Sequence, residues 1–189
     1  MPPLLVVVSG PPGSGKTTLG RRLARDLMFP FVSKDGIKER LFESLGWTDR
    51  EWSRQLGRAS VDLLFYVVEV ELSAGRSLVV ENAFWKENAT EPFRRLGERH
   101  PCRVVQIHCR AATEVLVRRF RDRDHTDERH PGQVNRTGYG ELEMALREDR
   151  YGVMDIGGEV LMVDTTDFEA VDSAGLLKSV RSSLATDGL

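Results

Sequence analysis

Leu4-Leu5-Val6-Val7-Val8-Ser9-Gly10-Pro11-Pro12-Gly13-Ser14-Gly15-Lys16-Thr17-Thr18 is the stretch whose reading decides the fold. Five uninterrupted apolar residues describe a strand buried on both faces of a parallel sheet, and Ser9-Gly10 ends the run. Gly10, Gly15, Lys16 and Thr17 then satisfy the Walker A pattern G-x-x-x-x-G-K-[ST], whose glycines let backbone N–H groups converge on phosphate oxygens. In such a loop the lysine reaches the β and γ phosphates and the threonine hydroxyl serves Mg²⁺. Gly10, Gly13, Ser14, Gly15, Lys16, Thr17 and Thr18 are therefore the expected nucleotide cradle, with ATP and Mg²⁺ as its expected occupants. Leu19, Leu23 and Leu27, with Arg21, Arg22, Arg25 and Asp26 around them, form an amphipathic helix whose positive N-terminal end points at the same anion. The competing reading, a Gly-Pro turn followed by an exposed lysine, lacks a reason for strand, loop and helix to occur in the required order.

The rest of the chain extends that unit. At 189 residues it is most simply one domain, 1–189, long enough for a sheet covered by helices on both faces. Lys plus Arg number 27 and Asp plus Glu 29, and the balance of −2 gives no global field favouring nucleic acid or an anionic membrane. No basic region precedes the first apolar run, which is too short for a signal peptide or a spanning helix, so a soluble cytoplasmic protein is expected. Cys102 and Cys109 on one strand would lie roughly 23 Å apart at strand rise, too far for a disulfide. Two free thiols fit a reducing compartment.

Alternation of elements sets the fold class. Phe29 to Ser33 reads as a second strand, followed by a helix from Asp35 that Gly46 ends. A long helix covers about 49–74, a third strand runs from Ser77 to Asn82, and a helix covers Pro92 to Arg99. Arg103 to Cys109 is a fourth strand, Thr113 to Arg123 a helix, Glu141 to Tyr151 another helix, Val160 to Asp164 a fifth strand, and Val171 to Leu184 a closing helix. The polar stretch of about 124–140, with His125, His130, Pro131, Gly132 and Gly138 and no sustained apolar period, reads as a loop over the site. The expected architecture is α/β: a single P-loop NTPase domain with a five-stranded parallel sheet, helices on both faces and an Arg-rich lid.

Chemistry-bearing residues cluster where strands end. Asp35 follows the second strand, where the sheet opens toward the phosphates, and a carboxylate there can accept a hydroxyl proton. It can equally be a helix cap. Glu81-Asn82 makes the third strand abruptly polar at its C-terminal end, the side of an open α/β sheet that faces the ligand crevice.

Gly10 to Thr18, Ser33-Lys34-Asp35-Gly36-Ile37-Lys38-Glu39-Arg40 and the later Arg-rich segment together resemble the adenylate-kinase-like branch of P-loop kinases. Within it the likeness is to the AAA-type group of zeta-toxin-like, chloramphenicol-phosphotransferase-like and polynucleotide-kinase-like enzymes, over nearly the whole chain. The resemblance implies that Asp35 is the base for a substrate hydroxyl. It implies that a carboxylate at Glu81, where such kinases more often have aspartate, joins Thr17 in holding Mg²⁺. Arginines brought over the phosphates are implied at Arg119 and Arg123, which share a helical face. The turn Asp164-Thr165-Thr166-Asp167 would pass beside the adenine base, with Thr165 among the nucleotide contacts, or would simply cap the last helix.

Lys38, Asn82 and Trp85 are candidates for the acceptor side, although an aromatic residue at a strand end is also ordinary core. Polynucleotide 5′-kinases carry arginine three residues beyond the aspartate, where this chain has Lys38, so nucleic acid is the less favoured acceptor. The reading that follows is an ATP- and Mg²⁺-dependent kinase acting on a hydroxyl of a small molecule. A polynucleotide 5′-hydroxyl kinase and an ATP-binding switch without acceptor are the alternatives. No residue pattern names the acceptor or the oligomeric state.

Overall fold

A computed structural model of the chain describes residues 1–123, 130–133 and 139–185. The elements run β1 (Leu4–Ser9), α1 (Lys16–Leu27), β2 (Phe31–Ser33), α2 (Lys34–Leu45), α3 (Arg50–Ser73), β3 (Leu78–Glu81), α4 (Lys86–Arg99), β4 (Arg103–Arg110), α5 (Thr113–Arg123), α6 (Tyr139–Arg147), β5 (Glu159–Asp164) and α7 (Ser173–Ala185). All neighbouring strands pair parallel in the order β2-β3-β1-β4-β5. The α/β class, the five parallel strands and the helices on both faces are as the sequence leads one to expect.

β1 is central, and all six of its residues are buried. Its pleat divides them between two cores. Leu4, Val6 and Val8 pack with Leu19, Leu23 and Leu27 of α1 and with Leu176 and Val180 of α7. Leu5 and Val7 pack on the other face with Leu64, Val68 and Leu72 of α3 and with Ala89, Phe93 and Leu96 of α4. An aliphatic side chain buried this fully stabilises the fold by about 1.5–3 kcal/mol, which is why an unbroken apolar run is tolerated only where both faces are covered. Every strand ends at the same edge of the sheet, where the loop after β1, the start of α2, the segment after β3 and the turn after β5 lie.

Several boundaries differ from the periodicity. β2 begins at Phe31, because Pro30 has no N–H for the ladder although its carbonyl still accepts from Val79 at 2.9 Å. α4 begins at Lys86 and carries Pro92 inside it, so that Ala89, Phe93 and Leu96 line one buried face. Phe93 meets Phe84 edge-on at 5.2 Å and Phe65 at 4.9 Å. α6 ends at Arg147 rather than Tyr151, since Asp149 turns left-handed at φ 51° and the Arg150 carbonyl is taken by the Lys86 N–H at 2.8 Å. α7 starts at Ser173, two residues later than expected. Of the expected lid at about 124–140, the parts 124–129 and 134–138, with His125, Arg129 and Gly138, lie outside the described residues. Among the described residues no helix is long and apolar enough to cross a membrane.

Candidate active site

The loop between β1 and α1 is shaped by glycines at positions where any other residue would be strained. Gly13 and Gly15 have φ of 83° and 72°, and a Cβ added at Gly13 would come to 2.7 Å from the Leu116 carbonyl of α5. At Gly15 it would come to 2.6 Å from the Phe168 ring. The loop is thus clasped between α5 and the turn after β5, as closely as glycine allows. Ser14 is wholly buried, and its hydroxyl has no hydrogen-bond partner among the described residues.

Lys16 and Glu81 meet under this loop. The Lys16 ammonium donates to the Pro11 carbonyl at 3.2 Å and stands 3.8 Å from the Glu81 carboxylate. Glu81 also accepts from the Thr17 hydroxyl, and Asp35 and Arg123 both lie within electrostatic reach of it. Burial pushes the Glu81 carboxyl above its ordinary range, and Asp35 adds to this. Lys16, the Thr17 bond and Arg123 pull the other way without reversing it. Five of the expected residues, Lys16, Thr17, Asp35, Glu81 and Arg123, therefore converge from α1, α2, β3 and α5.

Asp35 sits in the first turn of α2 but does not cap it. Ser33 is the cap, its hydroxyl accepting from the Gly36 N–H at 3.2 Å. The capping alternative for Asp35 is overturned, because a residue already inside the helix cannot bond the N–H two or three positions ahead from the cap position. Its carboxylate is half exposed and lies 3.2 Å from the Lys34 ammonium.

The remaining expected residues are distributed around this centre. Arg119 donates to the Thr165 carbonyl at 2.9 Å and the Thr166 carbonyl at 3.1 Å, so its guanidinium is bound to the turn after β5. The buried Thr165 hydroxyl lies 2.9 Å from the carbonyls of Ser14 and Arg110, tying that turn to the phosphate loop and to β4. Gly10 bends the chain out of β1 with φ 136°, and Thr18 is exposed on α1. Asn82 continues β3, its N–H reaching the Val8 carbonyl at 3.3 Å.

Trp85 caps α4 and is covered on one ring face by the Arg150 guanidinium at 3.5 Å, while its indole bonds the Tyr151 hydroxyl. Lys38 is buried, with its ammonium on Ser53 at 2.9 Å and on Gln133 at 3.2 Å. Phe168 touches the loop without having stood out in the sequence, and Ser33 and Lys34, quoted there only as part of a motif, prove to be the cap of α2 and the ion-pair partner of Asp35. For Phe168 the signal was position, directly after the turn Asp164-Thr165-Thr166-Asp167.

Comparison with known proteins adds a family. The model of a family described as AAA domain matches residues 5–141. A cytidylate kinase from Pyrobaculum neutrophilum is 32% identical over 124 residues, covering 64% of this chain and 61% of its own. The chain thus spans about three fifths of that relative's length. A shikimate kinase from Corynebacterium diphtheriae is 57% identical over 37 residues, 20% of this chain and 21% of its own. Among solved structures, a candidate kinase from Chloroflexus aurantiacus j-10-fl superposes with a TM-score of 0.89 at 37% identity, covering 97% of this chain and 99% of that one.

Proposed function

Because the chain belongs to the AAA domain family of P-loop kinases, we propose that it moves the γ-phosphoryl group of ATP to a hydroxyl of a small molecule. The observation that carries this reading is the convergence of Lys16, Thr17, Glu81, Arg123 and Asp35, which is not the cap of its helix, on one strand-end crevice. Phosphoryl transfer asks for that combination: charge to neutralise the phosphates and a carboxylate to take the acceptor's proton.

In this reading the β1–α1 loop, Lys16, Ser14 and Thr18 hold the triphosphate. Thr165 keeps the neighbouring turn against the loop, and Arg119 fixes that turn from the other side. The φ-positive glycines leave a cradle that any side chain would fill, and the oxygens of Thr17 and Glu81 suit a hard cation. When bound there, Mg²⁺ neutralises charge on the β and γ phosphates. Asp35 accepts the proton of the acceptor O–H, the acceptor oxygen bonds to the γ phosphorus, and the bond to the β–γ bridging oxygen breaks to leave ADP. Arg123 faces the same crevice and balances charge on the transferring group. Asn82 and Trp85, at the end of β3, border the acceptor.

A second reading comes from the cytidylate kinase likeness, whose name makes a nucleotide phosphate the acceptor. The two differ in chemistry at Asp35. A hydroxyl must lose its proton during transfer, whereas a phosphate monoester with its second pKa near ~6 is already largely ionised at neutral pH. A screen of ADP release against pooled sugars, alcohols, shikimate-like acids, nucleosides, nucleotides and oligonucleotides, run with the wild type and Asp35→Asn, decides between them. Acceptor-dependent release that Asp35→Asn abolishes supports the hydroxyl. Release with a nucleotide that survives Asp35→Asn supports the phosphate, and no acceptor-dependent release at all refutes both.

A further inference from the structure

Lys38 lies one helical turn beyond Asp35 on α2, and two other parts of the chain, together with a ring of α2 itself, close around its ammonium. Ser53 of α3 accepts from it at 2.9 Å, Gln133 accepts from it at 3.2 Å, and the Phe42 ring lies beneath it at 5.1 Å. The Ser53 hydroxyl in turn donates to the Gly132 carbonyl at 2.9 Å. Lysine and serine thus form one relay from α2, through α3, to the His130–Gln133 turn.

That turn is seated, not merely adjacent. The His130 ring stacks on Phe42 at 5.0 Å and meets Trp47 edge-on at 4.8 Å, and its Nδ1 accepts from the Gly132 N–H at 3.1 Å. A Cβ at Gly132 would fall 2.9 Å from both the Phe42 ring and Trp47, so the turn approaches as closely as glycine allows. Only 7% of Lys38 is exposed, which puts its charge among protein oxygens and leaves it little access to a diffusing acceptor.

We infer that Lys38 is a positioning residue: it pins α2, and with it Asp35, to the His130–Gln133 turn and α3. This rests on the kinase reading, in which Asp35 is the group that must be held in place. A buried ammonium with oxygen partners on two other elements fixes the rotation of α2 about its axis. Asp35 precedes Lys38 by three positions and shares its side of the helix. The orientation of the carboxylate is therefore set from outside the crevice, by a turn that contributes none of the phosphate contacts described above.

The test uses the full chain with γ-labelled ATP in single-turnover conditions and water as the acceptor, alongside titration with a fluorescent ATP analogue. Lys38→Met lowers the turnover rate of folded enzyme by roughly 10- to 100-fold, the scale of a misplaced reacting group, and changes ATP affinity less than about twofold. Lys38→Arg, which keeps the charge and the donors, recovers most of the rate.

Gln133→Leu lowers the rate in the same way, and Lys38→Met with Gln133→Leu together is no slower than Lys38→Met alone, because both break one connection. Unchanged turnover in Lys38→Met, or a double variant slowed by the product of the two single effects, overturns the inference. Should Lys38→Met fail to fold, Gly132→Val and Gln133→Leu form the same cycle from the turn side. A wild type that binds no ATP refutes the kinase reading itself, a result distinct from any of these.

Discussion

The Lys16 ammonium and the Glu81 carboxylate face each other at 3.8 Å beneath the phosphate loop, with only 7% and 3% of the two residues exposed. One comes from the first turn of α1 and the other from the last residue of β3, so the pair joins the loop to the adjacent strand. Burial raises the Glu81 carboxyl while Lys16 and Thr17 restrain it, an arrangement suited to a site whose carboxylate shares its work with a cation.

Replacing Glu81 by Gln keeps the shape and removes the charge. The half-saturating Mg²⁺ concentration for ATP turnover is expected to rise by about 10- to 100-fold, while ATP affinity measured in chelator does not fall. A metal titration identical to that of the wild type would remove Glu81 from the metal site.

Asp35→Asn preserves the helix, whose cap is Ser33, and removes the carboxylate proposed as the base. Acceptor-dependent transfer should drop by about 10²- to 10⁴-fold with ATP affinity within about twofold of the wild type. An equal loss of ATP affinity would mean that Asp35 serves the nucleotide and not the acceptor.

Two glycines separate shape from function. Gly10 and Gly158 have φ of 136° and 79°, and a Cβ at either would run into a backbone carbonyl, that of Cys109 or of Val104. Alanine at each position is expected to lower stability by at least ~1–3 kcal/mol in urea unfolding. Gly10→Ala also weakens ATP binding, because it deforms the loop that holds the phosphates. Gly158→Ala, at the start of β5 away from the crevice, leaves the affinity of the folded fraction unchanged. Comparable loss of ATP affinity in both variants would contradict this division.

His108 makes stability depend on pH. Its ring is buried on β4, where Nδ1 lies 3.2 Å from the Ser9 hydroxyl, itself bonded by Gln106 at 3.0 Å. Burial first, and Arg110 second, hold the imidazole below its ordinary pKa of 6.5, with Asp149 opposing them. The unfolded chain therefore takes up a proton more readily than the folded one. The contribution of His108 is whole above pH 6.5 and is lost as pH falls through the lower folded value. Glu81, raised by burial, acts in the opposite sense, so the test is the difference between wild type and His108→Gln. Urea midpoints measured from pH 8 to pH 5 should fall more steeply for the wild type; parallel curves would show that His108 is indifferent to folding.

Much of this was legible in the chain. Leu4 to Val8 could only be a central strand, Gly13 and Gly15 stand where the backbone turns left-handed, and Lys16 and Thr17 follow in a spacing set by phosphate geometry. The boundary errors have one origin. Pro92 reads locally as the start of a helix, but the aromatic packing of Phe93 on Phe65 and Phe84 carries α4 back to Lys86. Arg119 and Arg123 share a helical face in sequence, yet one guanidinium binds the carbonyls after β5 and the other lies within electrostatic reach of Glu81. A four-residue spacing specifies a face and not the partner across it.

What the sequence determined by itself is the phosphate cradle and the parallel sheet behind it, because both follow from local rules: backbone freedom at glycine, helix polarity and the period of apolar burial. The tertiary structure alone decided which charges meet. Glu81 reaches Lys16 because β3 lies beside β1. Lys38 is buried because Ser53 and Gln133, distant in the chain, close over it. Those are long-range contacts, and no local pattern along the chain encodes them.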